Sequence, residues 1–321
     1  MNIVEISHLT RDFGNHKGVF DISINIKEGE VYGFLGPNGA GKSTTMRHLM
    51  GFYKCQKGNC KIFNMDCWPK QKEIQKTLGY LPGEIAFPND MTAKHYINMI
   101  AKMQGIKDRG YQEELEKYFE IEKDTDISLK KMSKGMKQKI GIIIAFMNKP
   151  KLLLLDEPTS GLDPVMQNKF WDLIKDYKDN GATIFMSSHI FEEVEKTCDR
   201  VGIIKNGNLI KEVEISEFKH SKSKTYIIEF KSVEEIEKIE EIEEIGEIGE
   251  IKEVNKVFKD CKVDLENKTI SVDVNDSDIN KLINALSKCD IKSFEEEKHS
   301  LENYFMKFYG SDGNNGSDEN D

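Results

Sequence analysis

Residues 36–43 read GPNGAGKS and match the spacing G-x-x-x-x-G-K-[ST]. Glycines in such a run let the backbone wrap an anion without side-chain clash, and successive N–H groups turn inward toward it. Gly36, Pro37, Asn38, Gly39, Ala40 and Gly41 would cradle phosphate, while Lys42, Ser43 and Thr44 open a helix whose amino end favours negative charge. Lys42 is the cation expected to reach the β- and γ-phosphates, and the Ser43 hydroxyl is an expected Mg²⁺ ligand. Residues 152–157 read LLLLDE. An unbroken apolar run ending on two acids reads as a central strand of a parallel sheet, covered on both faces. The acids then lie at its carboxyl end, where such sheets bind ligands. Asp156 would hold Mg²⁺ through water, and Glu157 would orient and deprotonate the water that attacks the γ-phosphate. Together the two motifs specify hydrolysis of a nucleoside triphosphate.

Those residues need a frame, and the patterning supplies one. Strand patterns cover residues 2–9, 20–26, 31–35 and 182–187, and helical spacing covers 42–51, 92–104, 112–119, 135–148 and 165–179. Strands alternating with helices predict a parallel α/β sheet, with residues 92–119 as part of a helical insertion. The phosphate loop thus follows a strand and opens a helix, which is the setting in which its motif carries meaning. Beyond residue 220 the pattern changes to strands at 225–230 and 270–274 and helices at 279–288 and 301–309. Residues 236–251 carry isoleucine at every third position and predict an acidic amphipathic helix, weakened by Gly246 and Gly249. A repeat of three drifts around a helix, so that apolar stripe is not straight. Residues 310–321 have almost no apolar content and are expected to be disordered.

The charge is placed unevenly along the chain. Of 321 residues, 1–219 carry 32 Lys and Arg against 30 Asp and Glu, whereas 220–321 carry 14 against 26. The shift marks a domain boundary near His220, and its sign argues against nucleic acid as a partner of the C-terminal part. The first ten residues, MNIVEISHLT, lack a basic segment followed by an apolar core, so no signal peptide is expected. The apolar run 140–147 is far too short to span a bilayer. Six cysteines form no CxxC, and Cys60 and Cys67 read as small hydrophobes in a strand–turn region.

Residues 132–139, MSKGMKQK, lie just upstream of the leucine strand and resemble the LSGGQ signature of ATP-binding cassette (ABC) proteins. Lys134 replaces the first glycine and Met136 the glutamine, while Ser133 and Gly135 are retained. Further matches follow in the family's order. Residues 160–163 resemble the D-loop, with Asp163 as its aspartate. His189, just past a buried strand, resembles the switch histidine that contacts the γ-phosphate, and Phe13 is placed like the aromatic that stacks on adenine. One position departs from the pattern. The family has a glutamine after Tyr-x-Pro, whereas here Tyr80-Leu81-Pro82 is followed by Gly83 and then Glu84. Glu84 is expected to substitute for that glutamine toward Mg²⁺ or the attacking water.

The resemblance covers residues 1–215 and implies an α/β fold. It consists of a P-loop NTPase core of mostly parallel sheet flanked by helices, an antiparallel β subdomain, and a helical subdomain at about 88–150. The expected domains are 1–219 for the ATPase, 220–309 for an acidic α+β extension and 310–321 for the tail. ATP and Mg²⁺ are the implied cofactors. A homodimer or heterodimer of ATPase subunits is implied, with ATP sandwiched between the 36–44 loop of one copy and the Ser133–Gly135 segment of the other. The spellings YLPGE and SKGMKQK resemble the ATPase subunits of drug and peptide-antibiotic exporters of the bacitracin and daunorubicin types. That implies an ABC-2-type integral-membrane permease as partner and a cytoplasmic site, peripheral at the inner face of the cell membrane. The alternatives are a non-transport ABC ATPase and a hydrolysis-impaired regulatory ABC protein.

Overall fold

A computed structural model describes residues 1–216, 223–232, 261–287, 289–297, 301–302 and 305. The chain divides into two compact units, Met1–Ile215 and Ser216–Asp321. The first begins with β1 (Asn2–Asp12), β2 (Gly18–Lys27) and β3 (Val31–Leu35), followed by α1 (Lys42–Leu49). Then come β4 (Lys57–Ile62), β5 (Met65–Asp66), α2 (Gln71–Ile74) and β6 (Leu78–Leu81). Three helices follow, α3 (Ala93–Met103), α4 (Gly110–Tyr118) and α5 (Lys134–Phe146). The unit closes with β7 (Leu152–Asp156), α6 (Pro164–Asp179), β8 (Thr183–Ser188), α7 (Phe191–Thr197), β9 (Arg200–Lys205) and β10 (Asn208–Glu214).

These strands make two sheets. An antiparallel sheet has the order β2-β1-β4-β5, and its β2 buries Val19, Ile22, Ile24 and Ile26. The alternation is what a sheet with one wet face requires. The larger sheet has the order β10-β9-β3-β8-β7-β6 and is parallel except for the edge strand β10. Every residue of β3, β7 and β8 is buried, so these three are covered on both faces. Each of Leu152–Leu155 contributes about 1.5–3 kcal/mol by leaving water. The α/β architecture is the one the sequence patterning predicts.

Sheet order decides where the chemistry lies. β8 lies between β3 and β7, although it comes after both in the chain. Leu35 is level with Ser188, Asp156 with Ser187, and Leu81 with Leu155. The carboxyl ends of β3, β8, β7 and β6 therefore line up at one edge. Element limits differ slightly from the sequence reading: the helix expected at 135–148 runs Lys134–Phe146, and the strand expected at 182–187 runs Thr183–Ser188. Four-residue β6 and the β9–β10 hairpin have no counterpart in that reading, and the short β4–β5 pair appears there only as the strand–turn region of Cys60 and Cys67, because short apolar runs look alike in strands and helices.

The second unit holds β11 (Ser223–Phe230), β12 (Lys262–Asp264), β13 (Thr269–Asn275), a helix here called α8 (Ile279–Leu286) and β14 (Ile291–Glu297). Its strands form an antiparallel sheet ordered β12-β13-β11-β14, whose core joins Tyr226, Ile228, Phe230, Ile270, Val272 and Val274 to Leu282 and Leu286. The helix expected at 236–251 and the tail at 310–321 lie outside the described residues, as does most of the helix expected at 301–309. Among the described residues no helix is long and apolar enough to cross a membrane.

Candidate active site

β3 ends at Leu35, and the 36–41 loop turns the chain into α1. The Gly36 N–H donates to the Ser188 carbonyl at 3.3 Å, which moors the loop to the neighbouring strand. Gly41 is left-handed at φ +111°, a conformation that a side chain would strain, and it sets the entry into the helix. Pro37, Asn38 and Gly39 are exposed, while Gly36 and Ala40 are buried and Ser43 and Thr44 are half-buried. Lys42 is only 4% exposed. Its Nζ donates to the carbonyls of Gly36 at 2.7 Å and Pro37 at 3.1 Å and lies 3.4 Å from Glu157 Oε1. A buried ammonium held this way is a fixed positive charge at the mouth of the loop.

Asp156 closes β7 and is 3% exposed. Its Oδ1 accepts from Ser187 Oγ at 2.5 Å, and Gly83 stands so near that a Cβ there would meet Oδ2 at 3.1 Å. Glu157 leaves the strand in the left-handed region at φ +48°. That turn costs about 1–2 kcal/mol and is held by its N–H, which reaches both the Ser187 carbonyl at 3.2 Å and Ser187 Oγ at 3.1 Å. From below, the buried Gln138 of α5 donates to the Pro158 carbonyl at 2.7 Å. The result is a carboxylate aimed at Lys42 and at His189, whose Nδ1 is 3.5 Å from Glu157 Oε1.

Ser133 caps α5, its exposed Oγ accepting from the Met136 N–H at 3.2 Å. A Cβ on Gly135 would meet the Gly161 carbonyl at 2.6 Å, and Lys134 Nζ donates to Ser160 Oγ at 2.8 Å. Asp163 caps α6 through the Met166 N–H at 3.0 Å. Ser133, Gly135 and the 160–163 turn thus form one continuous piece of surface within the chain. Phe13 is 49% exposed, meets Tyr53 edge-on at 5.9 Å and has the Arg11 guanidinium over its ring at 5.0 Å. Tyr53 in turn meets His48 of α1 at 5.5 Å, so this aromatic group is tied to the helix that follows the phosphate loop. Glu84 is exposed, and the residue that faces Asp156 is Gly83.

The donors suit a hard divalent cation. Ser43 and Asp156 offer oxygen ligands only, and among the described residues no cluster of three or more His, Cys, Asp or Glu is built to enclose a metal alone. Such a pair suits Mg²⁺, which keeps waters and shares its shell with substrate phosphates.

Sequence reasoning missed Ser187, Gln138 and Glu193. Gln138 lies within the MSKGMKQK run, but its partner Pro158 is 20 residues on. Glu193 lies four residues past His189 and meets Ser188, five residues back, at a spacing that marks no site by itself. Glu193 is 1% exposed, and its Oε2 accepts from Ser188 Oγ at 2.5 Å, the same hydroxyl that accepts from the Ile190 N–H at 2.9 Å. Oε1 has no hydrogen bond of ordinary geometry, and neither has the buried Nε1 of Trp171. The indole and the Thr159 hydroxyl are still near enough to favour the charged form. Burial is the larger effect, and the carboxyl is pushed from 4.5 up to about 7, with the Glu157 charge adding to the rise.

The folded chain therefore holds this proton more tightly than the unfolded chain does. Its contribution favours folding below pH 4.5 and is lost as pH rises through about 7. Glu193→Gln is expected to flatten that dependence: between pH 5 and 8, wild type should lose about 2–3 kcal/mol relative to the variant. Urea unfolding at both pH values measures the difference, and parallel behaviour of the two proteins would count against a buried proton on Glu193.

Residues 19–160 match the family described as ABC transporter. The chain is 38% identical over 223 residues to the bacitracin transport ATP-binding protein BcrA of Bacillus licheniformis, covering 69% of this chain and 73% of that protein. It is 30% identical over 309 residues to the uncharacterized ABC transporter ATP-binding protein YcbN of Bacillus subtilis, covering 95% of this chain and 96% of that one. A solved ATP binding subunit of an ABC transporter shares the fold at a TM-score of 0.63 and 27% identity, covering 68% of this chain and 92% of that chain.

Proposed function

The chain belongs to the ATP-binding proteins of ABC transporters, and from that premise we propose that it is the ATPase subunit of an export system, driving a separate membrane permease. The observation that carries hydrolysis is the placement of Glu157, whose Oε1 lies 3.4 Å from Lys42 Nζ and 3.5 Å from His189 Nδ1, next in sequence to the buried Asp156. Glu157 takes the proton of the attacking water, while Lys42 supplies positive charge against the phosphates. His189 bridges Glu157 to the γ-phosphate. Ser43 and Asp156 would hold Mg²⁺, which when bound offsets phosphate charge. Phe13 is the residue proposed to stack on the base.

A second copy completes the site. The exposed Ser133 hydroxyl and the Gly135 backbone, braced by Gly161 and Lys134, are the surface that would close over the nucleotide of the partner. ATP binds the closed pair better than the open one, so it draws the pair together, and hydrolysis releases it. The cargo is proposed to be a drug or peptide antibiotic, supported by the kinship to a bacitracin transport protein. The permease is proposed to be of the ABC-2 type, with this subunit at the inner face of the membrane. Tagged full-length chain, recovered from detergent-solubilised membranes of its own cell, tests this reading. An integral multi-helix protein is the expected companion; ribosomes or DNA in its place would overturn it.

A further inference from the structure

Outside the proposed site the chain holds a pair of thiols arranged for chemistry. Cys55 Sγ lies 3.8 Å from Cys60 Sγ, with no covalent bond between them. Cys60 lies in β4 and is 4% exposed, whereas Cys55 precedes that strand and is half-buried, so only Cys55 is open to a reagent. The hydrogen bond between the two thiols outweighs burial and lowers the Cys55 thiol to about 7. Cys60 moves the opposite way, its own hydrogen bond to Cys55 and burial both holding the proton on. Cys67, buried nearby, is pushed up to about 12 chiefly by burial and stays inert. An accessible thiolate beside a protonated resolving thiol is the arrangement from which thiol oxidation proceeds.

The neighbours of Cys55 connect the pair to Phe13. Two residues before it, Tyr53 meets the Phe13 ring at 5.9 Å. One residue after it, the Gln56 side chain clamps the main chain of Asp12, accepting from its N–H at 2.7 Å and donating to its carbonyl at 3.2 Å. Phe13 is thus held from both sides by the segment that carries Cys55. We propose that Cys55 and Cys60 form a reversible dithiol–disulfide site whose closure displaces Phe13 and weakens nucleotide binding.

The oxidant is a low-molecular-weight disulfide. The Cys55 thiolate attacks one of its sulfurs, forming a mixed disulfide and expelling one thiolate. Cys60 then gives up its proton and attacks the Cys55 sulfur, forming the intrachain bond and expelling the second thiolate. Two protein thiols are oxidised and one small disulfide is reduced to two thiols. The effect on nucleotide rests on the proposed role of Phe13, while the disulfide itself does not.

Folded full-length chain treated with oxidised glutathione tests both parts. Thiols titrated after unfolding the treated chain are expected to fall from six to four, with a peptide linking Cys55 to Cys60 in the mass spectrum. ATP affinity, measured by calorimetry, is expected to fall at least about fivefold and to return on reduction, and Cys55→Ser should show neither change. Glutathione left attached without an intrachain bond, or a bond between other cysteines, overturns the site. A Cys55–Cys60 bond with unchanged ATP affinity overturns the link to Phe13. Reduced chain that binds no ATP overturns the nucleotide reading, and the thiol count still decides the disulfide.

Discussion

Glu157→Gln is expected to lower steady-state ATP turnover by about 10²–10⁴-fold while nucleotide affinity stays near that of wild type. Glutamine has the shape of glutamate but cannot take a proton from water. The turn at position 157 survives the change, because it is held by main-chain bonds to Ser187 rather than by the carboxylate. Lys42 keeps its two carbonyl partners. What disappears is the negative charge between Lys42 and His189, and with it the proposed base. With ATP bound and not cleaved, the closed pair should persist, so size exclusion with ATP should show the variant as a dimer. Turnover that is unchanged would show that Glu157 is not the base, and a wild type that does not hydrolyse ATP would favour a regulatory protein. The same assay addresses Glu84. Glu84→Ala should reduce turnover and alter its Mg²⁺ dependence if that residue substitutes for the absent glutamine; unchanged values would remove it from the site.

Lys42→Ala is expected to weaken ATP binding by about 10–100-fold, corresponding to about 1.5–3 kcal/mol for a lost charge-assisted contact. Hydrolysis should fall further, since the lysine is also proposed to meet charge that develops at the γ-phosphate. The local reason lies in its burial at 4% exposure. Truncation leaves the Gly36 carbonyl without its lysine donor, the Pro37 carbonyl with only the Ala40 N–H, and Glu157 without its nearest cation. Lys42→Arg should rescue little, because a planar fork does not fit where a compact ammonium rests between two carbonyls. Calorimetric titration with ATP measures both variants, with circular dichroism to establish that they fold. Wild-type affinity in the folded alanine variant would remove Lys42 from phosphate binding.

The parts of the site that were legible in the sequence are those made by neighbouring residues. A loop such as GPNGAGKS encodes its own backbone path, since glycines permit the left-handed turns and a helix must follow. The leucine run of β7 likewise identifies a strand buried on both faces, with its acids at the ligand end. The caps made by Ser133 and Asp163 are equally local, each accepting from an N–H three residues on, although neither cap was read from the sequence.

Partners brought together by strand order were not legible. β8 inserts between β3 and β7, and only that order places Ser187 against Asp156 and the Gly36 N–H on Ser188. Crossover connections satisfy the hydrophobic demands of several strand orders, so the choice among them is made by packing across the whole sheet. The same holds for Gln138 under the Glu157 turn, 20 residues from its Pro158 partner, whereas Glu193 and Ser188 are five residues apart and only their burial was not legible. Cys55 and Cys60 are likewise five residues apart, and what the sequence did not show is that their sulfurs meet. Residue types and short-range order thus determined which chemistry the chain can do. Long-range packing decided which groups stand within reach of it, because side-chain contact depends on how distant segments exclude water together.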